Sequence, residues 1–121
     1  MANPSAVPAS AVGTEILRRS YYHALSNSPQ KIIDGVANYT YTLLSLVWNE
    51  LDGTDETLHL HINIEAGSPE IWLMLSQPLP ARSTFTWNDK IMLSGTDELV
   101  VQTGASANVD VYCTYIEQRW A

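Results

Sequence analysis

Polar and apolar residues alternate over residues 57–64, and this pattern is the clearest structural signal in the chain. Its apolar positions are two residues apart: Leu58, Leu60, Ile62 and Ile64. Because successive side chains of a β-strand point to opposite faces of a sheet, a period of two indicates a strand with one buried face. We therefore expect these side chains to point into a hydrophobic core.

Similar segments follow one another along most of the chain. Residues 39–49 begin with Tyr and Thr, which favour strands, and continue with an apolar run that predicts a strand buried on both faces. Further strands are predicted at residues 30–33, 71–75, 84–87, 91–93, 99–102 and 109–116.

Residues 14–25 fit two kinds of element. Leu17, Tyr21 and Leu25 are spaced as on one face of a helix, whereas residues 18–22 fit an edge strand about as well. We interpret the segment as a strand because every later element is one.

Short turn motifs rich in Gly, Pro, Asp and Asn separate the predicted strands. They lie at residues 52–55, 66–69, 77–80, 94–97 and 104–108. Turns at intervals of about 8–12 residues are typical of antiparallel sandwiches and barrels. The sequence therefore predicts an all-β fold, an antiparallel β-sandwich, in a single domain over residues 14–121.

The N-terminal residues 1–13 have a different composition from the rest of the chain. They are small, uncharged and contain two prolines, and they lack the charged and apolar regions of a signal peptide. We expect an extended arm that is disordered when free and ordered when it docks on a neighbouring subunit or capsid protein. Val7 and Val12 are its candidate apolar contacts.

Composition narrows the possible partners. The 121 residues include 6 Lys and Arg against 13 Asp and Glu, for a net charge of −7. The basic residues are scattered, so we expect no nucleic-acid partner. No apolar run approaches the roughly 18 residues of a membrane span, so we expect no membrane partner.

A content of 45% hydrophobic and 16% charged residues indicates either tight packing or a surface covered by other subunits.

The residues with possible chemistry form no recognisable catalytic or metal-binding motif. His59 and His61 lie two apart on one strand face, but no partner has metal-ligand spacing, so we interpret them as polar-face residues. The acidic segment 50–56 lacks the spacing of a calcium loop and predicts a solvated hairpin turn. The single cysteine, Cys113, is predicted to be a buried, inert thiol. We expect no catalytic residue, metal or cofactor.

The four tryptophans divide into two groups. Trp48 and Trp87 have apolar neighbours and are core candidates, whereas Trp72 and the terminal Trp120 are candidates for a covered surface. Strict alternation places Trp72 on the same strand face as Met74, and either this face or the opposite face, with Ile71, Leu73 and Leu75, is a candidate interface. The predicted interface residues are Val7, Val12, Trp72, Met74 and Trp120.

Several segments together resemble a known class of proteins. The apolar strand over residues 41–51 runs into the turn Asp52-Gly53-Thr54-Asp55 and then into an alternating strand. The bend at residues 77–84, the segment 90–99 and the closing strand over residues 105–117 complete the pattern. Over residues 30–117 the chain resembles small structural proteins of tailed bacteriophages and gene-transfer-agent-like particles.

This resemblance implies a jelly-roll-like sandwich, a homo-oligomer such as a trimer, and no enzymatic activity. It implies a virion component assembled in the bacterial host cytoplasm, with the major capsid protein or other virion proteins as partners. The leading expectation is a capsid-binding decoration or cement protein. The alternatives are a tail or head–tail accessory protein, or a glycan- or receptor-binding module at the tail tip with exposed Trp and Tyr as a stacking platform.

Overall fold

The computed structural model describes residues 12–120, and β-strands dominate this part of the chain. Their bounds are β1 Glu15–Leu25, β2 Gln30–Asp34, β3 Tyr39–Glu50, β4 Glu56–Asn63, β5 Glu70–Leu79, β6 Thr84–Trp87, β7 Ile91–Ser94, β8 Glu98–Thr103 and β9 Val109–Arg119. A short 3₁₀ turn, Ile64–Ala66, follows β4. The strand prediction for residues 14–25 is confirmed by β1. The predicted arm falls mostly on residues 1–11, which lie outside the described residues.

The strands form two antiparallel sheets that pack face to face. Sheet I has the order β1-β9-β3-β6, with β7 also pairing with β3, and sheet II has the order β2-β8-β4-β5. The last strands pair with the first in reverse order, so the chain is one long hairpin with its bend between β4 and β5. Rolling that hairpin brings β3 against β9 and β4 against β8. This is a jelly roll, and the predicted antiparallel β-sandwich is confirmed.

A β-bulge in strand β3 accounts for the continuous apolar run in its sequence. Its register with β9 shifts between Leu43 and Ser45, so Leu44 is an extra residue in the strand. The β-bulge puts both Leu43 and Leu46 into the core although they are three residues apart. On the other face Val47 is half-buried. The prediction that this strand is buried on both faces is therefore wrong for the single subunit, whose outer face is half-buried to exposed along β3.

The core lies between the two sheets. On β4, Leu58 and Leu60 are both 0% exposed, Ile62 is buried, and Ile64 packs against the core from the turn after the strand. The predicted inward face of this segment is confirmed. Opposite them in sheet I lie the buried residues Leu43, Leu46, Trp48, Val109, Val111 and Cys113.

Glu50, the last residue of β3, is a buried carboxylate that joins two loops. Its oxygens accept backbone N–H bonds from Asp52 at 2.7 Å, Gly53 at 2.9 Å and Thr54 at 3.4 Å. They also accept one at 2.7 Å from Arg82, in the loop between β5 and β6. Burial alone would raise the pKa of Glu50, but these four donors stabilise the anion more strongly and the pKa is lowered. Residues 51–55 of the turn are exposed as predicted, whereas Glu50, which binds their backbone, is buried.

We expect Leu60→Ala to destabilise the protein by about 2–5 kcal/mol, because it would leave a cavity in the centre of the sandwich. Chemical denaturation followed by tryptophan fluorescence measures this loss. Leu75, which is 68% exposed on β5, provides the matched control. Leu75→Ala should change the free energy of unfolding by less than about 0.5 kcal/mol. Equal effects of the two substitutions would contradict the described core.

Replacing Glu50 by Gln should lower the free energy of unfolding at pH 7. It should also make that free energy fall less steeply as the pH is lowered. A carboxyl whose pKa is lower in the folded state contributes stability above its unfolded pKa and loses it as pH falls through the folded pKa. The difference between wild type and variant should therefore shrink below about pH 4. Urea titrations between pH 3 and 8 test this, with the exposed Glu15→Gln as control. Parallel profiles for wild type and Glu50→Gln would contradict it.

Candidate interaction surface

The outer face of sheet I carries large apolar side chains in rows across the strands. One row joins Leu17, Ile116, Thr42 and Met92 through the pairings of β1, β9, β3 and β7. Leu17 is 55% exposed and Met92 is 68% exposed. A solvated sheet face normally carries polar residues at such positions, so the exposed Leu17 and Met92 mark a candidate interaction surface.

A second row forms a concave aromatic site. Tyr112 on β9 lies directly between Tyr21 on β1 and Val47 on β3. Tyr21 is 62% exposed and Tyr112 is 44% exposed. Together with Arg19 and Asn49 they line a depression of about 540 Å³, which we call the tyrosine cradle.

The rim of the cradle is held by one local network. Strand β1 is irregular between Tyr22 and Leu25, and Ala24 has a positive φ of 59°. Asp110 stabilises this irregularity by accepting the backbone N–H of Ala24 at 3.1 Å and contacting His23 Nδ1 at 2.7 Å. These contacts join the bulged end of β1 to β9. They help to hold Tyr21 next to Tyr112.

Arg19 and Asp110 place one positive and one negative side chain in the lining of the cradle. Arg19 lies close to an aromatic ring. Its guanidinium lies 5.8 Å from the centre of the Tyr21 ring, within cation–π distance. Within residues 12–120 no carboxylate forms an ion pair with Arg19, although the chain is acidic overall. Tyr and Arg are, with Trp, the residues enriched at the energetic centres of protein interfaces. The cradle therefore has the residue types of a candidate protein-binding surface.

The predicted interface residues do not lie together. Val12 precedes β1 and Trp120 follows β9, and both are exposed. Because β1 and β9 are antiparallel, the two residues lie at the same end of sheet I, where Gly13 N–H donates to the carbonyl of Arg119 at 2.7 Å. Val7 lies outside the described residues. An interface role for these residues stays a prediction.

Trp72 and Met74 lie on opposite faces of β5, so the prediction of a shared face is wrong. Met74 pairs with Leu60 and is 7% exposed in the core, whereas Trp72 pairs with His61 and is 44% exposed on the outer face of sheet II. A bulge between them makes Leu73 an extra residue and reverses the alternation.

The other candidate chemistry is structural. Cys113 is fully buried, and burial raises the pKa of its thiol to about 12, so the thiolate that reacts is suppressed. His59 and His61 lie on the outer face of sheet II, and His61 is buried beneath Trp72. The described residues contain no group of three or more His, Cys, Asp or Glu side chains that could hold a metal ion. None of the described residues belongs to a helix long and apolar enough to cross a membrane.

Comparison with known proteins supports the fold. No protein-family model matches the chain, and no curated protein matches it in sequence. One similar solved structure comes from the disulfide-linked pili of Bacillus endospore appendages, at 10% identity and a TM-score of 0.54 over 95% of this chain and 96% of that chain. Another is from the acid-stable capsid of Helicobacter pylori bacteriophage KHP30, at 8% identity and a TM-score of 0.50 over 88% and 87%. Identities this low establish the shared fold alone.

Proposed function

We propose that this protein is a non-enzymatic structural component of a bacteriophage particle, and that it binds the capsid as a decoration or cement protein. The observation that carries the proposal is the outer face of sheet I, which exposes both the tyrosine cradle and the row containing Leu17 and Met92. The polar row of Arg19, Thr114 and Ser45 lies between them. The sequence resemblance to phage structural proteins and the fold shared with a phage capsid structure support the same role.

The surface suits a protein partner better than a nucleic acid or a small solute. It spreads across β1, β9 and β3 and lacks the cluster of cations that a phosphate backbone requires. Arg19 lies beside Tyr21, and the tyrosines provide apolar contact area with little loss of side-chain entropy. A tail or head–tail accessory protein would use the same surface against a different virion partner.

Assembly as a homo-oligomer, in the simplest case a trimer, is part of the proposal. Residues 1–11 join the described chain at the end of sheet I where Val12 and Trp120 are both exposed. An arm docking on a neighbouring subunit or on the capsid would gain apolar contacts there, with Val7 available on the arm itself. Such contacts have to offset about 1–2 kcal/mol of backbone entropy for each residue that becomes ordered.

The double substitution Tyr21→Ser and Tyr112→Ser should weaken binding to particles by at least about tenfold, since it removes the two aromatic anchors of the cradle. The measurement is co-sedimentation of purified protein with phage particles made without it. The matched control is Leu75→Ser, which removes an exposed apolar side chain from sheet II. Unchanged binding of the double variant would exclude the cradle, and no binding of the wild type to capsid, neck or tail fractions would exclude the particle role.

Deletion of residues 2–11 should leave the melting temperature within a few degrees of the wild type, because the core lies in the later strands. Incorporation into particles should fall sharply, since the arm would no longer dock. Thermal unfolding and quantification of the protein in purified particles measure the two effects. Normal incorporation of the shortened protein would show that the arm has no assembly role.

A further inference from the structure

A second depression lies on the outer face of sheet II, on the opposite side of the sandwich from the tyrosine cradle. Its volume is about 400 Å³, within the range of about 300–1,000 Å³ typical of small-molecule sites. Val100 and His61 lie beneath it, and Trp72 forms one wall. Its polar lining residues are Lys31, Asn63, Glu70 and Gln102.

Two β-bulges in β5 direct the side chain of Trp72 toward this depression. The register with β4 shifts on both sides of Leu60, which makes two bulges in β5. The first lies between Trp72 and Met74, and the second includes Ser76, whose φ is positive at 60°. Bulges that re-aim a side chain are common next to functional sites. A regular strand would instead have placed Trp72 and Met74 on the same face.

Two imidazoles hold the indole in place. The His61 ring lies under Trp72 with 4.4 Å between ring centres, and the His59 ring meets it edge-on at 6.1 Å. His61 is itself fixed by Glu70, 3.2 Å from its Nε2, and His59 Nδ1 accepts the backbone N–H of Ser76 at 3.1 Å. The indole stays 44% exposed although it is held from below. A flat aromatic surface that is already ordered loses little entropy when a ligand stacks on it.

The polar groups around the indole include both donors and acceptors with free capacity. Lys31 uses one ammonium proton on Glu98, at 2.8 Å, and has two more to donate. Gln102 donates its amide N–H to the carbonyl of Asn27 at 2.9 Å, which leaves its side-chain oxygen as an acceptor. Glu70 contacts His61 through one oxygen, and its side chain is about half exposed.

This combination matches the chemistry of a sugar ring. A pyranose has a C–H face that packs on an aromatic ring, and hydroxyls that both donate and accept hydrogen bonds. A purely apolar ligand would leave the surrounding polar groups without partners, at a cost in free energy. Lys31 is already paired, and Glu70 carries the opposite charge, so neither an anionic nor a cationic ligand is favoured.

We propose that the depression binds a neutral saccharide, with one pyranose ring stacked on Trp72 and its hydroxyls bonded to Lys31, Glu70 and Gln102. The proposal goes beyond a role in the particle and does not depend on it.

Nuclear magnetic resonance of the full-length, ¹⁵N-labelled protein tests the site directly. The probes are glucose, galactose, N-acetylglucosamine and short oligosaccharides of each, with a mixture of short peptides as the comparison. At least one saccharide should shift the indole N–H signal of Trp72 and leave that of Trp120 unchanged. The absence of any saccharide-dependent shift, or shifts with peptides alone, would overturn the proposal.

Variants of the site give the second test. Trp72→Ala should weaken saccharide binding by at least about tenfold, the effect expected for loss of a central aromatic anchor. Gln102→Leu should weaken it by about threefold or more, since it removes an acceptor without touching the indole. Trp120→Ala, which removes an exposed tryptophan at one end of sheet I, should leave the affinity unchanged. Wild-type affinity in both site variants, with native spectra, would show that the sugar binds elsewhere.

Discussion

The pairing of β3 with β9 is the interaction on which the rest of the structure depends. The ladder extends from the pair Tyr39 and Arg119 to the pair Glu50 and Val109, and so joins strands from opposite halves of the chain. It places the last strand between β1 and β3, in the middle of sheet I. Contacts so distant in sequence carry a high entropic cost of closure, which burial in the shared core has to offset. Every surface described here is built on this ladder or on the sheet packed against it.

The same ladder connects the stability of the fold to the arrangement of its surfaces. Tyr112 faces outward from β9 and lies between Tyr21 and Val47, so the tyrosine cradle exists only when the sheet is complete. At the end of β3, Glu50 gathers backbone donors from the loop that follows and from the loop before β6. A buried anion with backbone partners fixes loop positions more rigidly than apolar packing, because hydrogen bonds are directional.

Local patterns predicted the strands and much of the core, while contacts between distant residues were missed. The alternation over residues 57–64 identified β4 and its inward face correctly, since a strand without a bulge obeys its period of two. The same rule failed for Trp72 and Met74, because a bulge leaves no clear mark in the sequence. The buried role of Glu50 was hidden because one of its donors, Arg82, is far along the chain. Nothing in the sequence showed that Tyr21 lies beside Tyr112, since the two residues are on strands from opposite ends of the chain.

The two outer faces of the sandwich differ in the side chains that they expose. Sheet I exposes the large side chains of Leu17, Tyr21 and Met92 alongside polar residues, whereas the depression on sheet II surrounds a single indole with polar side chains. Apolar area favours permanent contacts between proteins, and an ordered aromatic ring among polar groups favours reversible binding of a hydroxylated ligand. Since the sheets lie back to back, a subunit attached through sheet I would turn Trp72 away from the surface to which it is bound. The packing of the jelly roll thus places the proposed attachment face and the proposed saccharide site on opposite sides of the buried core.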